Sequence, residues 1–185
     1  MSSALMLVSD GFEEVEALTA VDILRRAGAN VTIMSITGSD VLHGSHRITV
    51  KADDVIGKNY LSLSEKYDAV ILPGGLPNAH TLRDDTRVGD IIKDFYNKNK
   101  IVAAICAAPC VLEKNGLLAG KKATSYPGCI DETKCDYKED SVAFDGNIIT
   151  SRGMGTAIDF ALALVARLEG ASADDKIAKG IIYKA

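Results

Sequence analysis

Short, predominantly apolar runs alternate with helical patterns along this chain, and each of the clearest runs stops at a turn of small residues. Ala4–Val8 ends in Ser9-Asp10-Gly11, Tyr67–Leu72 in Pro73-Gly74-Gly75, and Ile101–Ile105 in Cys106-Ala107-Ala108-Pro109. Runs without polar alternation predict strands buried on both faces, and helices between them predict parallel pairing. Glu13 to Ala27 predicts a helix, with acidic residues in its first turn, Arg25 and Arg26 in its last, and Gly28 beyond. Its apolar Val15, Leu18, Val21, Ile23 and Leu24 spread around most of the circumference. Such a helix is buried centrally or meets a partner subunit.

Val31–Ile36 predicts the second strand, and the turn-rich Val41–Val55 a small antiparallel excursion. Val88, Ile91, Ile92 and Phe95 set a helix over Arg87–Asn97. A helix opened by Cys106–Pro109 is expected to end near Asn115-Gly116, followed by a short strand at Ala123–Tyr126. Asp145-Gly146 joins Ser141–Phe144 to Asn147–Thr150 as a hairpin. A long apolar helix over Thr156–Leu168 and a last short helix complete the pattern. The expectation is one α/β domain over residues 1–185, a mostly parallel central sheet with helices on both faces. Ligands in such sheets collect at the carboxyl ends of the strands.

With 47% apolar residues the chain can build a core without disulfides or metals. Lys plus Arg number 21 against 25 Asp plus Glu, which argues against nucleic acid or an anionic membrane surface as main partner. The opening Met-Ser-Ser-Ala-Leu-Met-Leu-Val predicts a first strand, not a targeting peptide, and the expected location is the cytosol. Cys106, Cys110, Cys129 and Cys135 are then expected to be reduced. Cys106 and Cys110 fit zinc spacing loosely, but Cys129 and Cys135 do not, and no histidine lies near either pair. No metal and no cofactor is expected.

Cys106 is the sharpest candidate. It ends a buried strand and turns straight into a helix, the geometry of a nucleophile elbow without its flanking glycines. A helix end facing the thiol would lower its pKa. The amides of Ala107 and Gly75 could hold an oxyanion there. A small buried cysteine filling a strand–helix junction fits the same position equally well. Cys110, one turn later, is expected to be a core thiol, and Cys129 and Cys135 to be partly exposed bystanders. Among the carboxylates, Glu13 and Glu14 suit the helix dipole. Glu16 either faces inward as a protonated carboxyl that could donate to a thiolate, or lies solvated on the helix surface. His43, His46 and His80 are too scattered for any to announce itself as a base. Gly153-Met154-Gly155-Thr156 lacks the marks of a P-loop and is expected to be a tight turn closing the pocket.

With these residues assembled, the sequence resembles the ThiJ/PfpI superfamily in its parkinsonism-associated (DJ-one) branch. The motifs run in order: Asp10-Gly11-Phe12-Glu13-Glu14-Val15-Glu16, Val21-Asp22-Ile23-Leu24-Arg25-Arg26-Ala27-Gly28, Val70–Gly75, Ala103–Pro109 and Thr150–Thr156. The resemblance implies a flavodoxin-like three-layer sandwich and a homodimer built partly on the first helix. It implies Cys106 as the reactive cysteine, Glu16 as the protonated carboxyl touching its sulfur, and the Gly75 and Ala107 amides as the pocket. Gly74, Tyr126, Gly153 and Met154 complete the lining it implies.

Several relatives carry a histidine before the proline that is Pro127 here, where this chain has Tyr126. That removes the usual Cys-His-acid triad and leaves Asp22 a structural part. Peptidase members place a histidine where Ala107 stands, and amidotransferases need a late His-x-Glu absent after His80. The activity implied is therefore glutathione-independent conversion of α-oxoaldehydes, or release of their adducts from protein. The alternative is an oxidative-stress sensor and chaperone in which Cys106 becomes a sulfinate. A cysteine peptidase is the weakest reading.

Overall fold

The computed structural model describes residues 1–184. Its order is β1 (Ser3–Val8), α1 (Glu14–Arg26), β2 (Asn30–Ser35), β3 (Val41–His43), β4 (Thr49–Lys51), β5 (Asp54–Val55), α2 (Leu63–Lys66) and β6 (Ala69–Leu72). Then follow α3 (Leu76–Asp84), α4 (Thr86–Asn97), β7 (Ile101–Ile105), α5 (Pro109–Lys114), β8 (Lys122–Ala123), β9 (Asp136–Tyr137), β10 (Val142–Asp145), β11 (Ile148–Ser151), α6 (Ala157–Glu169) and α7 (Ala171–Gly180).

Seven strands form the central sheet in the order β10-β11-β7-β6-β1-β2-β5. All neighbours are parallel except β10 and β11, the hairpin foreseen around Asp145-Gly146. The β3–β4 excursion is antiparallel as expected and stands outside this sheet. Because side chains alternate along a strand, β1 sends Ala4, Met6 and Val8 to one face and Leu5 and Leu7 to the other. The first face is covered by α1 and α6, with α7 packed outside them. The second is covered by α3, α4 and α5. This is the three-layer sandwich that the alternation predicts.

Three differences concern the site. Residues 76–84 form α3, where no helix was expected; Leu76, Ala79 and Leu82 are its few apolar markers. Pro77 looks like a breaker in the sequence but occupies the first turn, where its missing N–H costs nothing. The strand expected over Ala123–Tyr126 is only β8, since Ser125 and Tyr126 turn toward Cys106. The helix after Cys106 begins at Pro109, leaving Cys106–Ala108 as a turn ahead of it.

Residue 160 tests the first layer, because Phe160 on α6 is fully buried in the core shared with α1 and the sheet. Phe160→Ala is expected to cost about 3–5 kcal/mol, read from urea unfolding at unchanged slope. A midpoint equal to the parent's would contradict this placement.

Candidate active site

The parallel register sets the ends of β7, β6 and β1 side by side, and three turns leave from one edge. Cys106 has φ 64°, the left-handed region that a non-glycine residue rarely adopts. The turn closes with Ala108 N–H donating to the Ile105 carbonyl at 3.1 Å. Cys106 is also held by its neighbours: its N–H donates to Ser151 at 3.0 Å, and its carbonyl accepts from Tyr126 N–H at 2.8 Å. Beside it, Gly75 has φ 85°, and a Cβ there would stand 2.2 Å from the Gly11 carbonyl oxygen. The β1 and β6 turns thus touch backbone to backbone.

The buried side chain of Asn78 ties those two turns together. Its Oδ1 accepts from Ser9 N–H at 2.7 Å, and its Nδ2 donates to the Pro73 and Gly74 carbonyls at 2.7 and 3.1 Å. One side chain on α3 therefore bonds three backbone groups; the Gly74 carbonyl also accepts from Glu13 N–H at 3.1 Å.

Glu16 is 1% exposed and lies against the sulfur, so its inward-facing alternative is the one adopted. Oε2 accepts the Gly74 N–H at 2.9 Å. Oε1 has no partner in full hydrogen-bond geometry, although the carboxyl and the Cys106 thiol are close enough to interact. Burial raises the carboxyl pKa; the thiol and the Gly74 amide pull it down, Glu13 pushes it up, and the outcome is about 7. Burial also raises the Cys106 thiol, and the charge and hydrogen bond of Glu16 add to this; the Ala107 and Gly75 amides oppose it, leaving about 12. That corrects the expectation of a thiol lowered by a helix end. The helix starts three residues too late, and burial outweighs two amides. The two ionisations are linked: a proton on Glu16 removes the charge that opposes the thiolate.

The β3–β4 loop folds over the start of α1 and brings in residues that sequence analysis did not assemble. Glu14, assigned there to the helix dipole, is 3% exposed and receives the loop. Its Oε1 accepts the His46 and Ile48 N–H groups at 2.7 and 3.4 Å. Its Oε2 lies 3.1 Å from His46 Nδ1 and 3.2 Å from Ser45 Oγ. Burial raises the Glu14 pKa, but hydrogen bonds from its own backbone and from His46 and Ile48 win, holding it at about 2. His46 is correspondingly raised by Glu14 and Glu13.

Around Cys106 the surface opens into a cleft with two lobes. The first, about 500 Å³, is lined by Glu13, Glu16, Tyr126, Arg152, Gly153 and Met154 among others. The second, about 620 Å³, is lined by Glu13, His46, Gly75, Ala107, Tyr126 and Cys129 among others. Cys106 borders both. The expected residues are thus brought together: Glu16 with Gly74 at the floor, Gly75 and Ala107 with their amides toward the sulfur, and Tyr126, Gly153 and Met154 on the walls.

A family model described as "DJ-1/PfpI family" matches residues 2–167. The chain belongs to the DJ-1/PfpI family. It is 38% identical to Protein dj-1beta of Drosophila melanogaster over 97% of this chain and 96% of that one. It is 35% identical to the Parkinson disease protein 7 homolog of Danio rerio over 98% and 97%. The crystal structure of Drosophila DJ-1beta superposes with TM-score 0.90 at 37% identity, covering both chains fully. Toxoplasma gondii DJ-1, described as oxidized, gives TM-score 0.90 at 34% identity, again over both full chains.

Against this DJ-1/PfpI framework, the remaining candidates separate. Cys110 is buried, and burial raises its thiol to about 11. Cys129 is partly exposed as expected, yet it lines the second lobe and is no distant bystander. Cys135 borders a separate small cavity. His43 pairs with Thr49 and His80 is exposed on α3; neither lines the cleft. Asp22 faces solvent and pairs with Arg26. Glu13, Glu14 and His46 bring ligand-type atoms within 4.8 Å of one another, the only such group among the described residues. Both Glu14 oxygens are already occupied there, Oε1 by the His46 and Ile48 amides and Oε2 by the Ser45 and His46 side chains. Ser45 and Asn78 were invisible in the sequence because no local pattern marks them, and Arg152 lay inside the Thr150–Thr156 motif without being singled out.

Glu14 gives a pH prediction. Its folded pKa of about 2 lies below the ordinary 4.5, so its stabilisation is complete above pH 4.5 and is lost as pH falls toward 2. Glu14→Gln is expected to cost on the order of 2 kcal/mol at pH 7, with the gap to the parent roughly halved at pH 3 and closing only below pH 2. Denaturant titrations at both pH values measure it, and a gap that is independent of pH would refute it.

Proposed function

We propose that this DJ-1/PfpI protein is a cofactor-independent enzyme acting on α-oxoaldehydes such as methylglyoxal. The observation that carries the reading is a carboxyl 1% exposed, raised to about 7, with one oxygen unpartnered beside a cysteine sulfur toward which two amides point. Such a pair can exchange one proton near neutral pH and hold an oxyanion.

The sulfur of Cys106 adds to the aldehyde carbon, forming the C–S bond and sending the carbonyl electrons to oxygen, beside the Gly75 and Ala107 amides. Glu16 takes the proton from that carbon and returns one to the neighbouring carbon. The first carbon is thereby oxidised to a thioester as the second is reduced to an alcohol. Water breaks the thioester, releasing a 2-hydroxy acid and the thiol. Release of the same adduct from a protein amine or thiol would use the same steps.

A second reading, a peroxide sensor with chaperone activity, is favoured by the oxidized state of the Toxoplasma relative. A Cys106 sulfinate would use the same amides and the same carboxyl. The raised thiol bears on both readings alike, since a thiolate attacks aldehyde and peroxide, and in both Glu16 must take the thiol proton. We further propose self-association through α1, whose Val15 is exposed beside α6 with its exposed Ile158.

Lactate formation from methylglyoxal without glutathione is expected to vanish in Cys106→Ser and to fall about 10²-fold or more in Glu16→Gln. For the parent, kcat/KM should decline below pH 7, where carboxyl and thiol both keep their protons. Turnover in Cys106→Ser equal to the parent's would end the reading. Under mild peroxide, oxidation of Cys129 or Cys135 ahead of Cys106 would end the sensor alternative.

A further inference from the structure

We propose that His46, oriented by Glu14, is the base that brings water to the acyl–Cys106 intermediate; this rests on the α-oxoaldehyde reading above. The mechanism needs two different proton transfers. Glu16 serves the first, between neighbouring carbons. Hydrolysis of the thioester then needs a base able to reach water, and Glu16 is 1% exposed with Oε2 held by Gly74.

The cleft divides the two tasks. Cys106 borders both lobes, Glu16 only the first, and His46 only the second, which also holds the Gly75 and Ala107 amides. A thioester carbonyl whose oxygen lies toward those amides shares that lobe with the imidazole. His46 keeps its side chain 70% exposed, so water reaches it.

The ring is also held. Nδ1 lies 3.1 Å from Glu14 Oε2, 3.0 Å from Ser45 Oγ and 3.5 Å from Glu13 Oε2. The His46 backbone N–H is fixed by the other Glu14 oxygen at 2.7 Å. With Nδ1 turned to these oxygens, Nε2 is free of them on a residue that lines the second lobe. A buried carboxylate fixing one nitrogen so that the other can act as base is the orienting half of a catalytic triad. The charged groups against the ring are Glu13 and Glu14 at the start of α1, and the titratable groups sharing its lobe are Cys106, Tyr126 and Cys129. Glu14 is the positioning residue and His46 the catalytic one. This fills, from a different loop, the place left without imidazole by Tyr126.

In the step itself, Nε2 takes a proton as the water oxygen bonds to the thioester carbon. The C–S bond then breaks, and the imidazolium returns the proton to the departing sulfur. Water and thioester become acid and thiol, with no other reactant.

The test is rapid quench of the full protein with methylglyoxal, following lactate and covalent modification of Cys106. In His46→Gln, acylation of Cys106 should keep its rate, while lactate release should fall about 10²-fold from the first turnover onward. A hydroxylamine-cleavable acyl group should accumulate on Cys106. His46→Ala should regain turnover with added imidazole, which a merely structural role would not produce. Steady-state turnover within roughly twofold of the parent would overturn the proposal. So would a loss of turnover without the acyl group and without imidazole rescue. A parent protein that makes lactate in either case leaves the α-oxoaldehyde reading standing. A parent that makes none overturns both.

Discussion

Residue 74 has no side chain, and the meeting of Glu16 with Cys106 uses the space one would need. A Cβ there would stand 2.6 Å from Glu16 Oε2 and 2.7 Å from the Cys106 Cβ. The same glycine donates the amide that fixes Glu16, so an absent side chain and a present N–H act at one position. The next residue, Gly75, lets the turn close onto Gly11 and places its amide toward the sulfur. Two glycines at the end of one strand thus decide whether carboxyl, thiol and amides can share a volume with almost no water.

The first turns of α1 show how environment assigns roles to identical groups. Glu14 and Glu16 are nearly equally buried, so desolvation pushes both upward. Glu14 accepts two loop amides in addition to its histidine and serine contacts, and stays ionised far below the usual range. Glu16 accepts one amide, faces a thiol, and feels the charge of Glu13, and so rises toward neutrality. Neither side chain meets solvent, but Glu14 lies just beneath the β3–β4 loop and Glu16 deep beside the sheet, so depth and the count of donors together set the two directions. One carboxylate fastens a loop, and the other can trade a proton.

The layers were legible because strands covered on both faces must be continuously apolar, and β1, β6 and β7 are. Helix α3 was not, because its outer face is polar and its proline imitates a stop. At the site, Cys106, Gly75 and Ala107 follow from the rule that function collects where parallel strands end. Glu16 could be placed inward or outward by local pattern, and only packing against Gly74 decides it. His46 and Asn78 could not be found this way. The first arrives through a loop sixty residues before Cys106 (106 − 46), and the second through a helix the sequence concealed. The thiol's predicted depression failed because burial, joined by the charge and hydrogen bond of Glu16, outweighs the Ala107 and Gly75 amides, and depth is set by packing that no local pattern shows.

Asn78 has a consequence for how the molecule ages. Hydrolysis of its amide to a carboxylate would replace the donor facing the Pro73 and Gly74 carbonyls with negative oxygen. The β6 turn would be repelled from α3 while Cys106, Glu16 and both glycines stayed chemically intact. Damage of this kind escapes any assay that counts free thiols, so a preparation could keep its full thiol titre as its working fraction declines.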